Sequence, residues 1–174
     1  MRRLSILIGV VALVLPLLNA CSKPATNQAP AAPQPTQREV RSSADVVSLG
    51  GTGTAISGET NGEALVMLNI EPGYHVNANP ATYPYLIATE VTAGKVEGLD
   101  IGKVVYPPAK KQKFEFADEE LAVYEGQVEV RLPIKIAGKG SRSLPLNVRV
   151  QACDHEKCFP PATLNTSVSV EVKQ

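Results

Sequence analysis

Two cysteines near the C-terminal end are the residues of this sequence best suited to chemistry. Cys153 and Cys158 are separated by four residues, and in an oxidising compartment such a close pair can form a disulfide. A ring this short constrains the unfolded chain weakly. The loss of chain entropy on closing it stabilises the fold by about 2 kcal/mol, against roughly 4.7 kcal/mol for a hundred-residue loop. The pair therefore suits sulfurs that open and close reversibly, as in a dithiol carrier, better than a structural staple.

The charged residues between the two cysteines would set their reactivity, because the thiolate is the attacking species. His155 and Lys157 would favour the thiolate, whereas Asp154 and Glu156 would oppose it. Both signs of the net effect on the cysteine pKa stay open. An exposed turn residue is the alternative interpretation of His155, and a solvated charge is that of Lys157.

Residues 1–20 have the pattern of a targeting segment, which predicts an oxidising compartment. Arg2 and Arg3 precede a nearly continuous apolar stretch, and its roughly fifteen residues suit a signal peptide better than a permanent membrane span. The segment ends in Leu-Asn-Ala-Cys, which resembles the lipobox of bacterial lipoproteins. This resemblance implies that Cys21 is lipidated, and Ser22 after it favours the outer membrane. An ordinary signal peptide with an incidental cysteine is the alternative.

Residues 21–44 are predicted to be a tether between the lipid anchor and a folded domain. They have little apolar bulk and contain Pro24, Pro30, Pro33 and Pro35. Such a segment should be extended, with polyproline character. It would let the domain reach across a compartment, and an inert linker is the alternative.

The composition excludes several classes of function. The chain carries 17 basic and 17 acidic side chains, and this balance excludes a basic nucleic-acid-binding surface as its main function. Hydrophobic residues make up 44% of the chain, so it is not disordered overall. The glycine-rich run 50–54 lacks the lysine and the following helix of a nucleotide site, and it is predicted to be a flexible lead into the first strand.

Residues 45–174 are predicted to form one all-β domain, since about 130 residues suffice for one buried core. Short apolar or alternating runs without a helical period predict strands, and these runs are Ala64–Ile70, Val96–Val105, Gln127–Ile136, Ser143–Ala152 and Thr163–Val172. Their spacing predicts a β-sandwich. Pro133 predicts an edge strand or a bulge. Tyr74–Tyr85 and Lys110–Glu120 are predicted to be long loops.

Several segments together resemble one known family. The run VQACDHEKCFPPAT around the cysteines resembles the active-site segment of the N-terminal periplasmic domain of the DsbD family of thiol:disulfide interchange proteins. The upstream runs PGYHVN at 72–77, VYPP at 105–108 and YEG at 124–126 resemble the same family. The resemblance extends from about Ser57 to Val170, and it implies an immunoglobulin-like sandwich.

The resemblance also implies roles for individual residues. It identifies Cys153 and Cys158 as a redox pair that passes electrons from a thioredoxin-like domain to periplasmic thiol oxidoreductases. By this resemblance, Cys158 is the attacking sulfur and Cys153 the resolving one. A cap loop with an aromatic residue covers the sulfurs in the family, and residues 111–118 occupy the corresponding stretch. Phe116 is preferred over Phe114 as the lid, and packing of either ring in the core is the alternative.

Three further residues, Tyr74, His75 and Asn77, match a segment that lines the cleft of the family. Tyr74 is equally well explained as a structural aromatic residue. The chain also departs from the family, because four residues separate its cysteines, one fewer than in the best-known members. The family's membrane-embedded and C-terminal thioredoxin-like domains do not follow the domain in these 174 residues. We therefore expect it to act in trans, with a membrane electron donor on another chain.

Three classes of function remain. The favoured one is a lipid-anchored protein-disulfide reductase that uses no cofactor and exchanges disulfides with thioredoxin-like periplasmic oxidoreductases. The second is a non-catalytic immunoglobulin-like binding module with a structural disulfide. The third is binding of Cu(I) or zinc by Cys153, Cys158, His155 and His75. A closed zinc site would need a ligand from far away in the sequence, and Met67 is the only methionine of the expected mature chain.

Overall fold

The computed structural model describes residues 39–57 and 60–172. The predicted signal peptide, the lipidation of Cys21 and most of the predicted tether lie outside these residues. The last part of the tether is folded, because a short 3-10 helix spans Ser43–Asp45. Within the described residues, no helix has the length and apolar character needed to cross a bilayer.

The remaining regular structure of the described residues consists of antiparallel strands in three sheets. The strands are β1 (Val47–Ser57), β2 (Asn61–Ile70), β3 (His75–Asn77), β4 (Glu90–Ala93), β5 (Leu99–Ile101), β6 (Lys110–Gln112), β7 (Leu121–Tyr124), β8 (Gln127–Ile136), β9 (Gly140–Val150), β10 (Ala152–Cys153) and β11 (Ala162–Val172). Their orders are β1-β2-β8-β5, β10-β3-β7-β6 and β11-β9-β4. The predicted all-β, immunoglobulin-like sandwich is confirmed.

Alternation along the long strands builds the core. Every second residue of β2 and β8 is buried, as is every second residue of β9 from Leu144 to Val150, while the residues between them are at least partly exposed. This pattern is expected for strands with one face on the core. The inward side chains from these strands join in one apolar cluster, which includes Val66, Leu68, Val130, Leu132, Leu146 and Val148. Burial of each such side chain is worth about 1.5–3 kcal/mol. Val76 of β3 and Ala152 of β10 belong to the same cluster, so the core also supports the short sheet that carries β10.

Four of the five predicted runs are strands, and the fifth is mostly not. Within Val96–Val105 only Leu99–Ile101 is a strand, and Val105 adds a single bridge to Arg131. Gly98 explains the late start, since its φ of +75° is a left-handed conformation that ends extended pairing.

Pro133 lies in β8, which is an interior strand in continuous register with β2, so the prediction of an edge or a bulge is wrong. The N–H of Arg131 donates to the carbonyl of Val105. Alternate residues of a strand direct their N–H groups to the same side, so the nitrogen of Pro133 faces that side as well. The segment opposite that side, between β5 and Val105, is not a strand. The N–H that proline lacks is therefore not needed for strand pairing there.

Three segments predicted to be irregular contain strands. β3 lies in the first predicted loop and β6 in the second, so both loop predictions are too long. All three residues of β3 are buried, which leaves no alternation to detect. The glycine-rich run 50–54 is part of β1 and not a flexible lead. A register shift between Leu49 and Thr52 marks an irregularity in the pairing with β2, and glycine often marks a bulge.

Candidate redox site

A tight hairpin holds the two cysteines side by side. Cys153 ends β10 and forms an antiparallel bridge with Cys158. Two backbone hydrogen bonds flank the pair, from Asp154 N–H to the Lys157 carbonyl (2.9 Å) and from Phe159 N–H to the Ala152 carbonyl (2.8 Å). The sulfurs are bonded, and the two Cα atoms are 3.9 Å apart. Because the hairpin has its own hydrogen bonds, it can keep the sulfurs adjacent when the disulfide is open.

The side chain of Asp154 closes the turn between the cysteines. Its Oδ1 accepts hydrogen bonds from the N–H groups of Glu156 and Lys157, each at 2.8 Å, in the manner of an Asx turn. His155 and Glu156 are exposed, and Lys157 Nζ lies 5.6 Å from the centre of the Phe159 ring. Asp154 therefore has a structural role in this turn besides its charge.

The two cysteines differ in their exposure to solvent. Cys153 is fully buried, whereas Cys158 is half-buried. The difference follows from the hairpin, because Cys153 lies between His75 of β3 on one side and the return arm on the other, whereas Cys158 is on the return arm itself. A partner that approaches from solvent thus reaches Cys158 more easily than Cys153.

His75 on β3 is the neighbour of Cys153 across the sheet. The two residues are directly paired between β3 and β10, so their side chains lie on the same face of the sheet. Only 2% of His75 is exposed. Its ring stacks on Phe114, with centroids 3.9 Å apart and planes inclined by 21°. The predicted cleft residue and the predicted cap loop therefore meet beside the buried cysteine.

The cap-loop phenylalanines form a stack on this imidazole. Phe114 is buried and packs with Leu121 and Val123 in a small apolar cluster. Phe116 is the outer ring, 39% exposed, with its centroid 5.5 Å from that of Phe114 and 6.4 Å from that of His75. Phe114 thus has an anchoring position and Phe116 a peripheral one.

Asn77 and Tyr74 contact the segments on either side of the cysteine hairpin. The Asn77 side-chain amide donates to the carbonyl of Ile87 (3.1 Å) and to Oε1 of Gln151 (3.4 Å), which joins the loop after β3 to the residue before β10. Tyr74 is half-buried, and its ring centroid is 5.9 Å from that of Phe159. Both residues therefore border the site and support the segments that lead into and out of the hairpin.

Ser43 is a supporting residue that the sequence did not reveal. Its Oγ accepts from the Ala152 N–H at 2.8 Å and donates to the Pro160 carbonyl at 2.8 Å, and its own N–H donates to the same carbonyl at 2.9 Å. It therefore binds both arms of the cysteine hairpin. The partners are more than a hundred residues apart in sequence, so local patterns could not signal this contact.

Burial controls the charge of the imidazole beside Cys153. Desolvation lowers the pKa of His75 from 6.5 to about 4, and the electrostatic effect of His155 acts in the same direction. The carboxylates of Glu125 and Asp154 oppose the shift without cancelling it. His75 is therefore neutral at pH 7. Its Nε2 atom is buried and has no hydrogen-bond partner among residues 39–57 and 60–172.

A group of three or more histidine, cysteine or acidic residues placed to hold a metal ion is not found within the described part of the chain. The two histidines differ in their surroundings, because His75 is buried under Phe114 whereas His155 is exposed in the turn. The ring centroid of His155 is 6.0 Å from that of Phe114.

Fold and site together define a class of protein, the β-sandwich domains that carry a cysteine pair in a short hairpin beside an aromatic loop. The family model described as "Thiol:disulfide interchange protein DsbD, N-terminal" matches residues 54–169, well over half of the chain. The chain therefore belongs to the family of DsbD N-terminal domains, as its sequence predicted. Among curated proteins, no sequence matches the chain.

Three solved structures are similar to the chain at low sequence identity. The N-terminal periplasmic domain of ScsB from Proteus mirabilis is 12% identical, with a TM-score of 0.50, and the match covers 74% of this chain and 47% of that chain. The reduced DsbD N-terminal domain of Neisseria meningitidis is 17% identical over 72% of this chain and 86% of that chain, with a TM-score of 0.44. A complex between the DsbD and PilB N-terminal domains from the same organism matches at 16% identity, 68% and 80% coverage, and a TM-score of 0.44.

Proposed function

We propose that the chain is a lipid-anchored periplasmic thiol–disulfide interchange protein, which relays electrons between thioredoxin-like donors and periplasmic partner proteins through Cys153 and Cys158. The observation that carries the proposal is the unequal burial of the two cysteines in a hairpin with its own hydrogen bonds. Such a site lets a partner reach one sulfur while the other stays covered. Membership of the family supports disulfide exchange as the reaction class.

The proposed reaction begins when a donor thiolate attacks Sγ of Cys158. The Cys153–Cys158 bond breaks as the new sulfur–sulfur bond forms, and the Cys153 sulfur leaves as a thiolate that takes a proton from solvent. The donor's second thiolate then attacks the donor sulfur of the mixed disulfide and releases Cys158. The donor loses two electrons, which the pair now holds as a dithiol. With an oxidised acceptor the steps run in reverse, and Cys158 attacks while Cys153 resolves.

The cap loop, residues 111–118, would control access to the pair. We assign the lid to Phe116, because it is the outer ring of the stack and partly exposed. Phe116 can swing away without opening the cluster in which Phe114 packs against Leu121 and Val123. The inner ring would then keep the root of the loop in place during exchange.

The anchor and the electron source belong to the same proposal. Cleavage after residue 20 and lipidation of Cys21 would attach the domain to the periplasmic face of a membrane, with the outer membrane favoured by Ser22. The electron donor would be a membrane protein on another chain. The anchor rests on the sequence pattern of residues 1–22, and the electron donor rests on the resemblance to the family. Incorporation of labelled palmitate into the wild type but not into Cys21→Ser would support the anchor.

A binding module with a structural disulfide is the second candidate, and the full burial of Cys153 is the observation that favours it. Trapping separates the two candidates. A Cys153→Ala variant leaves Cys158 free to form a mixed disulfide that no second sulfur can resolve. Under the relay proposal, this variant expressed in its native host accumulates covalent adducts with thioredoxin-fold proteins.

The matched control is Cys158→Ala, which leaves only the buried sulfur. We expect far fewer adducts from this variant, because Cys153 is fully covered. If neither variant forms adducts, the relay is excluded and the binding module remains. More adducts from Cys158→Ala than from Cys153→Ala would reverse the assignment of the attacking sulfur.

A further inference from the structure

The imidazole of His75 is the buried polar group closest in sheet register to the reacting sulfurs, and the proposed exchange steps leave it unused. It is paired with Cys153 between β3 and β10 and is 2% exposed. Its Nε2 atom is buried without a hydrogen-bond partner among the described residues. An unsatisfied buried polar atom is costly, so a role in a second state of the site is a natural explanation.

The neighbours of His75 limit the directions from which Nε2 can find a partner. Phe114 covers one face of the ring at a centroid distance of 3.9 Å, and a phenyl ring offers no conventional acceptor or donor. Cys153 lies directly opposite on the same face of the sheet. In the bridged form its sulfur is bonded to Cys158. Opening the bond frees that sulfur beside the imidazole.

We propose that His75 is a positioning residue whose Nε2–H donates a hydrogen bond to the sulfur of Cys153 once the disulfide opens. This inference rests on the proposed function, because it assigns His75 a role in the opening of the bond. The ring donates a hydrogen bond and transfers no proton, so it stays neutral in both states. Electrons and protons balance as in the exchange reaction, with the proton for Cys153 taken from solvent.

The hydrogen bond would decide which sulfur leaves. A thiolate buried among apolar groups is disfavoured, and Cys153 is fully buried. A donor that is present only for the free sulfur stabilises the Cys153 thiolate, and a better-stabilised thiolate leaves faster. Attack at Cys158, which expels Cys153, therefore becomes the favoured direction.

The charge of the ring is consistent with this role. Burial keeps the pKa of His75 at about 4, with His155 acting in the same direction and Glu125 and Asp154 opposing it. These are the charged and titratable groups that face the ring from the end of β7 and from the cysteine turn. A ring that is neutral at pH 7 can donate without competing for the proton of the thiol.

Two substitutions test the proposal with small thiols and no protein partner. His75→Phe keeps a ring for stacking on Phe114 and removes both nitrogens, whereas His75→Gln restores an N–H donor. We expect the equilibrium constant for reduction by dithiothreitol to fall about tenfold in His75→Phe, which is about 30 mV for a two-electron couple. The rate of reduction should fall by a similar factor, and His75→Gln should recover part of both losses.

A second readout follows the sulfur itself. In a Cys158→Ser background, the pH dependence of alkylation reports the Cys153 thiol, and His75→Phe should raise the pKa of that thiol. The control is Val168→Ala, a cavity in the buried face of β11, which loosens the fold without touching the site and should stay within twofold of the parent. Equal behaviour of His75→Phe and Val168→Ala in all three measurements would overturn the proposal.

A measurement on the wild-type protein tests the proposal without requiring that a variant folds. The 15N chemical shift of His75 Nε2 should change on reduction of the disulfide and show a protonated nitrogen in a hydrogen bond, while that of exposed His155 should change little. An unchanged His75 shift would overturn the proposal. These tests remain separate from the trapping experiment, because failure to trap partners would remove the relay and leave the dithiothreitol and NMR results standing.

Discussion

Ser43 joins the start of the folded domain to both arms of the cysteine hairpin, and Ser43→Ala tests how much this contact contributes. The substitution leaves the N–H of Ala152 without its acceptor, while the Pro160 carbonyl keeps the backbone N–H of residue 43 as a donor. Both Ser43 and Ala152 are fully buried. A buried donor without a partner costs about 1–3 kcal/mol, so the loss should be close to that of one orphaned N–H.

The expected loss is measurable by urea unfolding of the oxidised protein. About 2 kcal/mol corresponds to a fall in Tm of roughly 6–10 °C for a domain of this size. Amide exchange should also accelerate at Phe159, whose N–H donates to the Ala152 carbonyl, because the hairpin loses its anchor. Ser42→Ala is the matched control, since the Ser42 Oγ accepts an exposed hydrogen bond of 3.3 Å from Ala44. A loss at Ser43 no larger than that at Ser42 would refute this reasoning.

Substitutions at four residues of the site provide three further tests. The pKa of His75 is about 4 in the folded protein and near 6.5 in the unfolded chain, so the unfolded chain binds the proton first as the pH falls. The free energy of unfolding should therefore drop between about pH 6.5 and 4. Urea unfolding curves at several pH values should show that His75→Phe removes this part of the pH dependence. Asp154→Ala removes both turn hydrogen bonds, so the glutathione equilibrium should shift toward the dithiol, and Asp154→Asn should shift less because it keeps an oxygen acceptor. Phe116→Ala should cost under about 1 kcal/mol yet accelerate reduction by dithiothreitol, whereas Phe114→Ala should cost about 2–4 kcal/mol in urea unfolding; equal losses would contradict the inner and outer positions.

The long strands and the cysteine pair were predictable because each has a local signal. β2 and β8 alternate buried and at least partly exposed residues along their whole length, and β9 does so from Leu144 to Val150. This period is visible in the sequence. The spacing of Cys153 and Cys158 likewise indicates a hairpin-scale pair. Family motifs extended this local information to the fold as a whole.

The supporting shell of the site was less predictable, because its signals are short or distant. β3 buries His75 and Asn77 together with Val76, so polar residues occupy positions where an apolar pattern would be sought. β6 is a three-residue strand of two lysines and a glutamine at a sheet edge, where lysine is common because its charge discourages pairing with another chain. The order of the rings His75, Phe114 and Phe116 depends on loop geometry that periodicity does not encode.

The central claim is that the Cys153–Cys158 bond opens and closes as a reversible carrier of two electrons. The most direct measurement is the reduction potential of the purified domain, obtained from the dithiol and disulfide fractions in glutathione and dithiothreitol buffers. We predict a potential above about −300 mV, in the range of proteins that exchange disulfides with thioredoxin-like partners. A potential far below about −300 mV would mark a structural disulfide and contradict the account.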